Sequence, residues 1–275
     1  MTKRSRQDRI SRRNNRRADD AERQPFSMRE TRQEKVKELK PRNDRQARYL
    51  NQLRHETLTF GLGAAGTGKT YLAAFVAGDL LEAGVVDRII VTRPIVEAGE
   101  NLGFLPGDVM DKIGPYFVPI YEALCERLGS GQVQGMMASK RIEFVPFAFM
   151  RGRTFKNAFV ILDEAQNTTP SQMKMFLTRA GERSKLSVNG DLLQSDIPGT
   201  NGLQDAVNRF RGKNGVGVTV FKREDVVRST LAAIAVDAYE GDDGREQHEA
   251  LGRLPDFVTR PSYEDQLASP ELLGR

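Results

Sequence analysis

Apolar residues first gather into a regular pattern after residue 56. Residues 57–62 (TLTFGL) form a short β-prone run, and residues 69–82 follow with Leu72, Phe75, Val76 and Leu80 at helical spacing. That unit recurs. Residues 88–92 (RIIVT), 142–145, 158–162 (AFVIL), 186–189 and 216–221 read as strands, and 114–128, 171–179, 203–210 and 224–238 read as helices. Consecutive apolar positions suit strands buried on both faces. Strands that alternate with helices predict an α/β domain with a mostly parallel sheet covered by helices on both faces. A short helix over 44–54 precedes the first strand, and Pro25 and Pro41 break the charge-rich stretch before it. The pattern divides the chain into a lead-in over residues 1–45, one folded domain over 46–240 and a tail over 241–275.

Charge sharpens that division. Residues 1–17 carry eight arginines and lysines against the single acid Asp8, and residues 240–275 carry nine acids against four arginines. The net charge of +5 is therefore largely the work of one basic arm. An arm with so few apolar residues cannot offset the entropy of ordering, so it is expected to be disordered when free. Arginines of this density suit phosphate contacts with nucleic acid; the alternative is a solvated solubility tail. Composition excludes several classes. No repeat suggests a solenoid or collagen, the lone Cys125 cannot form an internal bridge, and no run approaches the roughly 18 apolar residues of a membrane helix. With no signal peptide in the sequence, these features predict a protein of the reducing cytoplasm with no membrane contact.

The candidate chemistry lies at strand ends. Gly63-Ala64-Ala65-Gly66-Thr67-Gly68-Lys69-Thr70 fits the phosphate-loop pattern G-x-x-x-x-G-K-[ST] and stands between a predicted strand and a predicted helix. Glycines let backbone N–H groups converge on phosphate oxygens, and the helix N-terminus adds partial positive charge. In this pattern Lys69 spans the β- and γ-phosphates and Thr70 ligates Mg²⁺. Asp163 and Glu164 follow the apolar run 158–162, at the sheet edge where open α/β folds bind ligands. Asp163 suits Mg²⁺, and Glu164 suits the water that attacks in hydrolysis; the competing reading makes Asp163 a helix cap. Gly190-Asp191-Leu192-Leu193-Gln194 leaves another strand, and the Gln194 amide can meet the γ-phosphate or the attacking water, unless it is only a polar turn.

These blocks, with residues 92–107 (TRPIVEAGENLGFLPG), 163–167 (DEAQN), 225–228 (DVVR) and 238–240 (AYE), resemble the PhoH-like proteins. The resemblance spans about 46–240. It implies an ATPase with a single RecA-like P-loop domain, related to the N-terminal half of superfamily-1 helicases and acting on RNA or single-stranded DNA. It also implies an association with phosphate starvation. Helicases that translocate as monomers use two such lobes, whereas this chain supplies one, so the resemblance implies a homo-oligomeric ring, a hexamer.

The resemblance implies roles for further residues. Gln46 takes the place of an adenine-reading glutamine. Arg93, Arg151 and Arg153 take nucleic-acid contacts, and Arg223 or Arg228 brings positive charge to the γ-phosphate in cis or from a neighbour. As surface ion-pair partners, Arg151, Arg153 and Arg223 are equally well explained. The expected activity is Mg²⁺-dependent ATP hydrolysis coupled to RNA or single-stranded nucleic acid, helicase-like in a ring. A nucleic-acid- or partner-binding protein gated by ATP without unwinding is the alternative, and a P-loop kinase is a third.

Overall fold

The computed structural model describes residues 39–95, 109–197, 199 and 201–227. Their order is α1 (Asp44–His55), β1 (Leu58–Leu62), α2 (Lys69–Glu82), β2 (Arg88–Arg93), α3 (Val109–Leu128), α4 (Ser130–Ala138), β3 (Ile142–Pro146), β4 (Ala158–Leu162), α5 (Pro170–Leu177), β5 (Lys185–Gly190), α6 (Gly202–Phe210) and β6 (Val216–Val220). The six strands form one open sheet in the order β3-β2-β4-β5-β1-β6. Every neighbouring pair is parallel, so all C-terminal strand ends lie on one edge. This is the parallel α/β architecture that the sequence pattern predicts, and it is the RecA-like P-loop domain that the family resemblance implies.

Side-chain alternation divides the core in two. Ile89 and Val91 of β2 and Phe159 and Ile161 of β4 join α1, α2, α3 and α4 on one face. Ile90, Ala158, Val160 and Leu162, with Leu186 and Val188 of β5, meet α5 and α6 on the other. Around β1, β5 and β6 the first face is not apolar. Thr59, Gly61, Ser187, Asn189, Gly217 and Thr219 occupy it, leaving room for α1 to lie close. A Cβ on Gly61 would stand 2.8 Å from Asn189 Oδ1 and 2.9 Å from the Tyr49 ring, and one on Gly217 would meet Gln52 at 2.8 Å.

Three expectations change. Helix α3 begins at Val109 and carries Pro115 and Pro119 inside it, where the pattern suggests a start at 114. A proline lacks the N–H that an interior helix position donates, so Gly114-Pro115 reads as a first turn in sequence. Helix α4 was not foreseen, because Val133 is its one buried side chain and its glycines carry no periodicity. The helix expected over 224–238 is replaced at its start by a single 3₁₀ turn, Arg223–Asp225, after which Val226 is extended. Asp225 accepts a hydrogen bond from the Lys222 N–H at 2.7 Å and pairs with Arg45, which holds this turn in place. Residues from 228 onward lie outside the described ones, as do the basic arm and the acidic tail.

Candidate nucleotide site

The phosphate loop joins β1 to α2. Gly63, Gly66 and Gly68 all have positive φ, at 131°, 85° and 88°, so the loop needs residues without a Cβ. Gly63 has a second reason, since a Cβ there would stand 2.5 Å from the Phe221 carbonyl oxygen. Gly68 caps α2, whose N-terminus opens toward the loop, and Ala65 and Gly66 are exposed at its crest. Thr67 is buried, and its hydroxyl donates to the Ala64 carbonyl at 3.0 Å. The Val227 N–H donates to the Gly66 carbonyl at 2.9 Å, so the segment after β6 braces the loop.

Lys69 is 8% exposed and folds back over the loop, donating from Nζ to the Gly63 carbonyl and, at 2.7 Å, to that of Ala64. Burial pulls its pKa below the ordinary lysine value, and the charges of Asp191, Asp163 and Glu164 work against that shift. The Thr70 hydroxyl donates to Asp163 Oδ1 at 2.7 Å, which ties the phosphate loop to the end of β4 across the intervening strand β5. Burial raises the pKa of Asp163, and the Thr70 hydrogen bond opposes the rise.

Glu164 adopts left-handed backbone dihedrals, φ 50° and ψ 41°, a conformation costly for a residue with a Cβ. Its carboxylate is held from two sides. Arg93 Nη2 stands 3.6 Å from Oε1, and the Gln166 amide donates to Oε2 at 2.6 Å. Arg93 also stands 4.0 Å from Asp163 and donates to the Tyr116 carbonyl at 3.3 Å. Gln166 is buried, and its Oε1 accepts the Asp191 N–H at 3.1 Å, so one side chain links the exits of β4 and β5. Gly190 permits this, because a Cβ there would lie 2.4 Å from Gln166 Oε1.

Helix α1 completes the site from above. Asn43 caps it, accepting from the Gln46 N–H at 2.8 Å, and this sets Gln46 against the loop. The Gln46 amide donates to the Thr67 carbonyl at 3.1 Å while its oxygen accepts the Arg42 N–H at 2.9 Å. One turn on, the fully buried Tyr49 hydroxyl donates to Asn189 Oδ1 at 2.5 Å and lies 3.0 Å from Ser187 Oγ. Burial drives the Tyr49 pKa upward, so the phenol stays neutral.

The phosphate loop, Arg93, the acid pair, Asp191 and Gln46 meet at one cavity of about 1030 Å³, while Gln166, Tyr49 and Asn189 lie behind its wall. Of the residues predicted from sequence, Gln46, Gly63, Ala65, Gly66, Gly68, Lys69, Thr70, Arg93, Asp163, Glu164 and Gln194 border it, and Ala64 and Thr67 lie buried beneath. Arg151, Arg153 and Arg223 do not border it; Arg228 lies outside the described residues. Arg153 pairs with Glu143 at 3.0 Å. Arg93, expected to meet nucleic acid, stands beside the two carboxylates. Sequence reasoning assigned no role to Gln166, Asp191, Tyr49 or Asn189. For Gln166 the signal lay in its place two residues after Glu164; for Asn189 it was the polar residue at the end of an apolar strand.

The donor set suits a hard cation. Thr70 Oγ1 and Asp163 Oδ1 are adjacent oxygens, and Mg²⁺ characteristically takes one or two protein oxygens, completing its shell with water and substrate phosphates. Among the described residues no group of three or more His, Cys, Asp or Glu could hold an ion alone. Among the same residues, no helix is long and apolar enough to cross a membrane.

The family model described as PhoH-like protein matches residues 38–240. Protein PhoH of Escherichia coli (strain K12) is 50% identical over 202 residues, covering 72% of this chain and 57% of that protein. The PhoH-like protein of Bacillus subtilis (strain 168) is 46% identical over 212 residues, 76% of this chain and 66% of that one. The PhoH-like protein of Mycobacterium tuberculosis (strain ATCC 25618 / H37Rv) is 47% identical over 205 residues, 74% and 58% respectively. The chain thus spans less than two thirds of the length of these relatives.

Proposed function

The chain belongs to the PhoH-like family, and from that premise we propose that it hydrolyses ATP with Mg²⁺ and couples the reaction to RNA or single-stranded DNA, as a homo-oligomeric ring in the cytoplasm. The observation that carries the hydrolytic reading is the Thr70–Asp163 hydrogen bond of 2.7 Å, which brings the phosphate loop and the acid pair into one cavity. A bound Mg²⁺ would be held by Thr70 and Asp163 and would neutralise phosphate charge. Lys69 exchanges the Gly63 and Ala64 carbonyls for phosphate oxygens, and the loop N–H groups bind the same anion. Glu164 orients water and takes its proton, in a position set by Arg93 and Gln166. Gln46 and Gln194 both border the cavity, and in this reading Gln46 meets the adenine and Gln194 the γ-phosphate or the attacking water. An arginine from a neighbouring subunit, Arg223 or Arg228, completes the charge neutralisation in the ring.

The nucleic-acid reading is supported by the arginines of residues 1–17 and by Arg151 and Arg153, which follow β3 at the same sheet edge as the cavity. Steady-state phosphate release from ATP, with and without single-stranded RNA or DNA, tests both parts. Turnover that rises with one polymer and is lost in Glu164→Gln supports the coupled ATPase. Turnover indifferent to both polymers favours an ATP-gated binding protein, and transfer of phosphate to an acceptor other than water would make the chain a kinase.

A further inference from the structure

Phe149 is the most exposed large apolar side chain among the described residues, at 59%. It does not sit on a loose loop. The 3₁₀ turn Phe147–Met150 is pinned by its first and last residues, Phe147 at 4% exposure and Met150 at 0%, so that Ala148 and Phe149 face outward between two anchors. Phe147 packs on Phe176 of α5 with ring centroids 5.9 Å apart, and Phe155 packs on the same ring at 5.7 Å. A rigid turn therefore presents one phenyl ring to water at a fixed place.

That place lies on the nucleotide side of the sheet. The last residue of β3, Pro146, is the register partner of Arg93, which stands beside Asp163 and Glu164. The Phe147–Met150 turn thus leaves the sheet one strand spacing, about 4.8 Å, from the strand that carries Arg93. Its surroundings are cationic. Residues 147–157 contain Arg151, Arg153 and Lys156 and no acid. Arg153 is held by Glu143, whereas Arg151 is exposed and makes no ion pair among the described residues.

We propose that Phe149 and Arg151 form a stacking platform for single-stranded nucleic acid, with a base lying on the Phe149 ring and Arg151 meeting the adjacent phosphate. The combination favours this partner because a fixed aromatic face beside unpaired cationic charge is what sequence-tolerant binding of single strands requires. The inference rests on the nucleic-acid reading above and adds to it the residue that contacts the base. In a duplex the bases are stacked and paired, so the platform selects against it.

The chain contains no tryptophan, so Phe149→Trp places one reporter in the full chain. Titration with oligo(U) and oligo(dT) of fifteen nucleotides is expected to quench its fluorescence, while duplex of equal length leaves it unchanged. Phe149→Ala is expected to weaken single-strand binding about tenfold with the slope of log Kd against log salt unchanged. Arg151→Ala is expected to reduce that slope by about one phosphate contact. ATP turnover without polymer stays at the wild-type rate in Phe149→Ala. Whichever of the two oligomers quenches identifies the preferred strand. If wild type binds neither strand, the nucleic-acid reading and this inference fail together. If wild type binds and both Phe149 variants behave as wild type without a fluorescence change, the inference alone is overturned. It is equally overturned if Phe149→Ala changes the assembly mass in light scattering, because the ring is then part of a subunit interface.

Discussion

Replacing Gln166 separates its two bonds, because they differ in what water can replace. Its amide donates to Glu164, whose side chain is 37% exposed, so solvent takes over that bond when the amide is lost. Its oxygen accepts from the backbone of Asp191, a residue only 4% exposed, and there an unmatched N–H costs about 1–3 kcal/mol. Gln166→Leu removes both and should lower stability by about 2 kcal/mol, or about 4–8 °C in Tm for a domain of this size. Gln166→Glu keeps an acceptor for the Asp191 N–H, but its carboxylate is buried beside that of Glu164, so at pH 7 it should melt below wild type and recover as pH falls and one of the pair is protonated. The same change acts on the chemistry, since a second carboxylate now stands where the donor stood, 2.6 Å from Glu164 Oε2. Two carboxylates this close repel, so one of them holds a proton to higher pH than it would alone. A base must be deprotonated to act, so the acid limb of the kcat–pH profile should move upward. At pH 7 kcat should fall about 10- to 100-fold, a part of what a positioned base supplies, with the KM for ATP little changed. Thermal melts followed by circular dichroism and phosphate release from pH 5 to 9 read the two effects separately. A Gln166→Glu protein with wild-type kcat and an unmoved acid limb would refute the positioning role.

Three further outcomes follow from the same structure. Tyr49→Phe removes a hydroxyl in full burial and should cost about 1–2 kcal/mol in a denaturant melt, because Asn189 keeps only the Ser187 hydroxyl at 3.3 Å; no measurable loss would show that this network adds nothing to stability. Gly61→Ala should destabilise by about 1–3 kcal/mol, since its Cβ enters the 2.8–2.9 Å gap to Asn189 and Tyr49; a neutral result would mean that α1 is free to shift outward. Glu224 is held below its ordinary pKa of 4.5, first by the hydrogen bond from Arg45 and then by the Arg45 charge. A lowered folded value means that the contact supports folding above pH 4.5 and is lost as pH falls through that lowered value. In Arg45→Ala the carboxylate titration seen by NMR should return toward 4.5, and an unmoved midpoint would contradict the assignment.

Much of the site was legible along the chain. Gly63 to Thr70 are contiguous, and their loop follows from local dihedrals and from a helix N-terminus that any strand–turn–helix segment provides. Asp163 and Glu164 were legible for the same reason, as acids that end an apolar strand at the ligand-binding edge of a parallel sheet. The class of fold followed from the alternation of elements. The internal prolines of α3 and the glycine-rich α4 hid their boundaries, because there composition and periodicity disagree with the final conformation.

The order of the strands carried information that no window of sequence holds. Because β5 lies between β1 and β4, Asp191 comes beside Gln166, and Asn189 comes beneath Tyr49, across 25 and 140 residues of chain. Because β2 lies beside β4, Arg93 comes beside the carboxylates of Asp163 and Glu164 across 70 residues of chain. The turn after β3 places Phe149 at that edge by the same packing. Sequence alone determined the phosphate-loop pattern and its place between a strand and a helix, since that geometry is built from neighbouring backbone. The tertiary structure decided which side chains orient and surround it, since each such contact joins residues that only the sheet order brings within hydrogen-bonding distance.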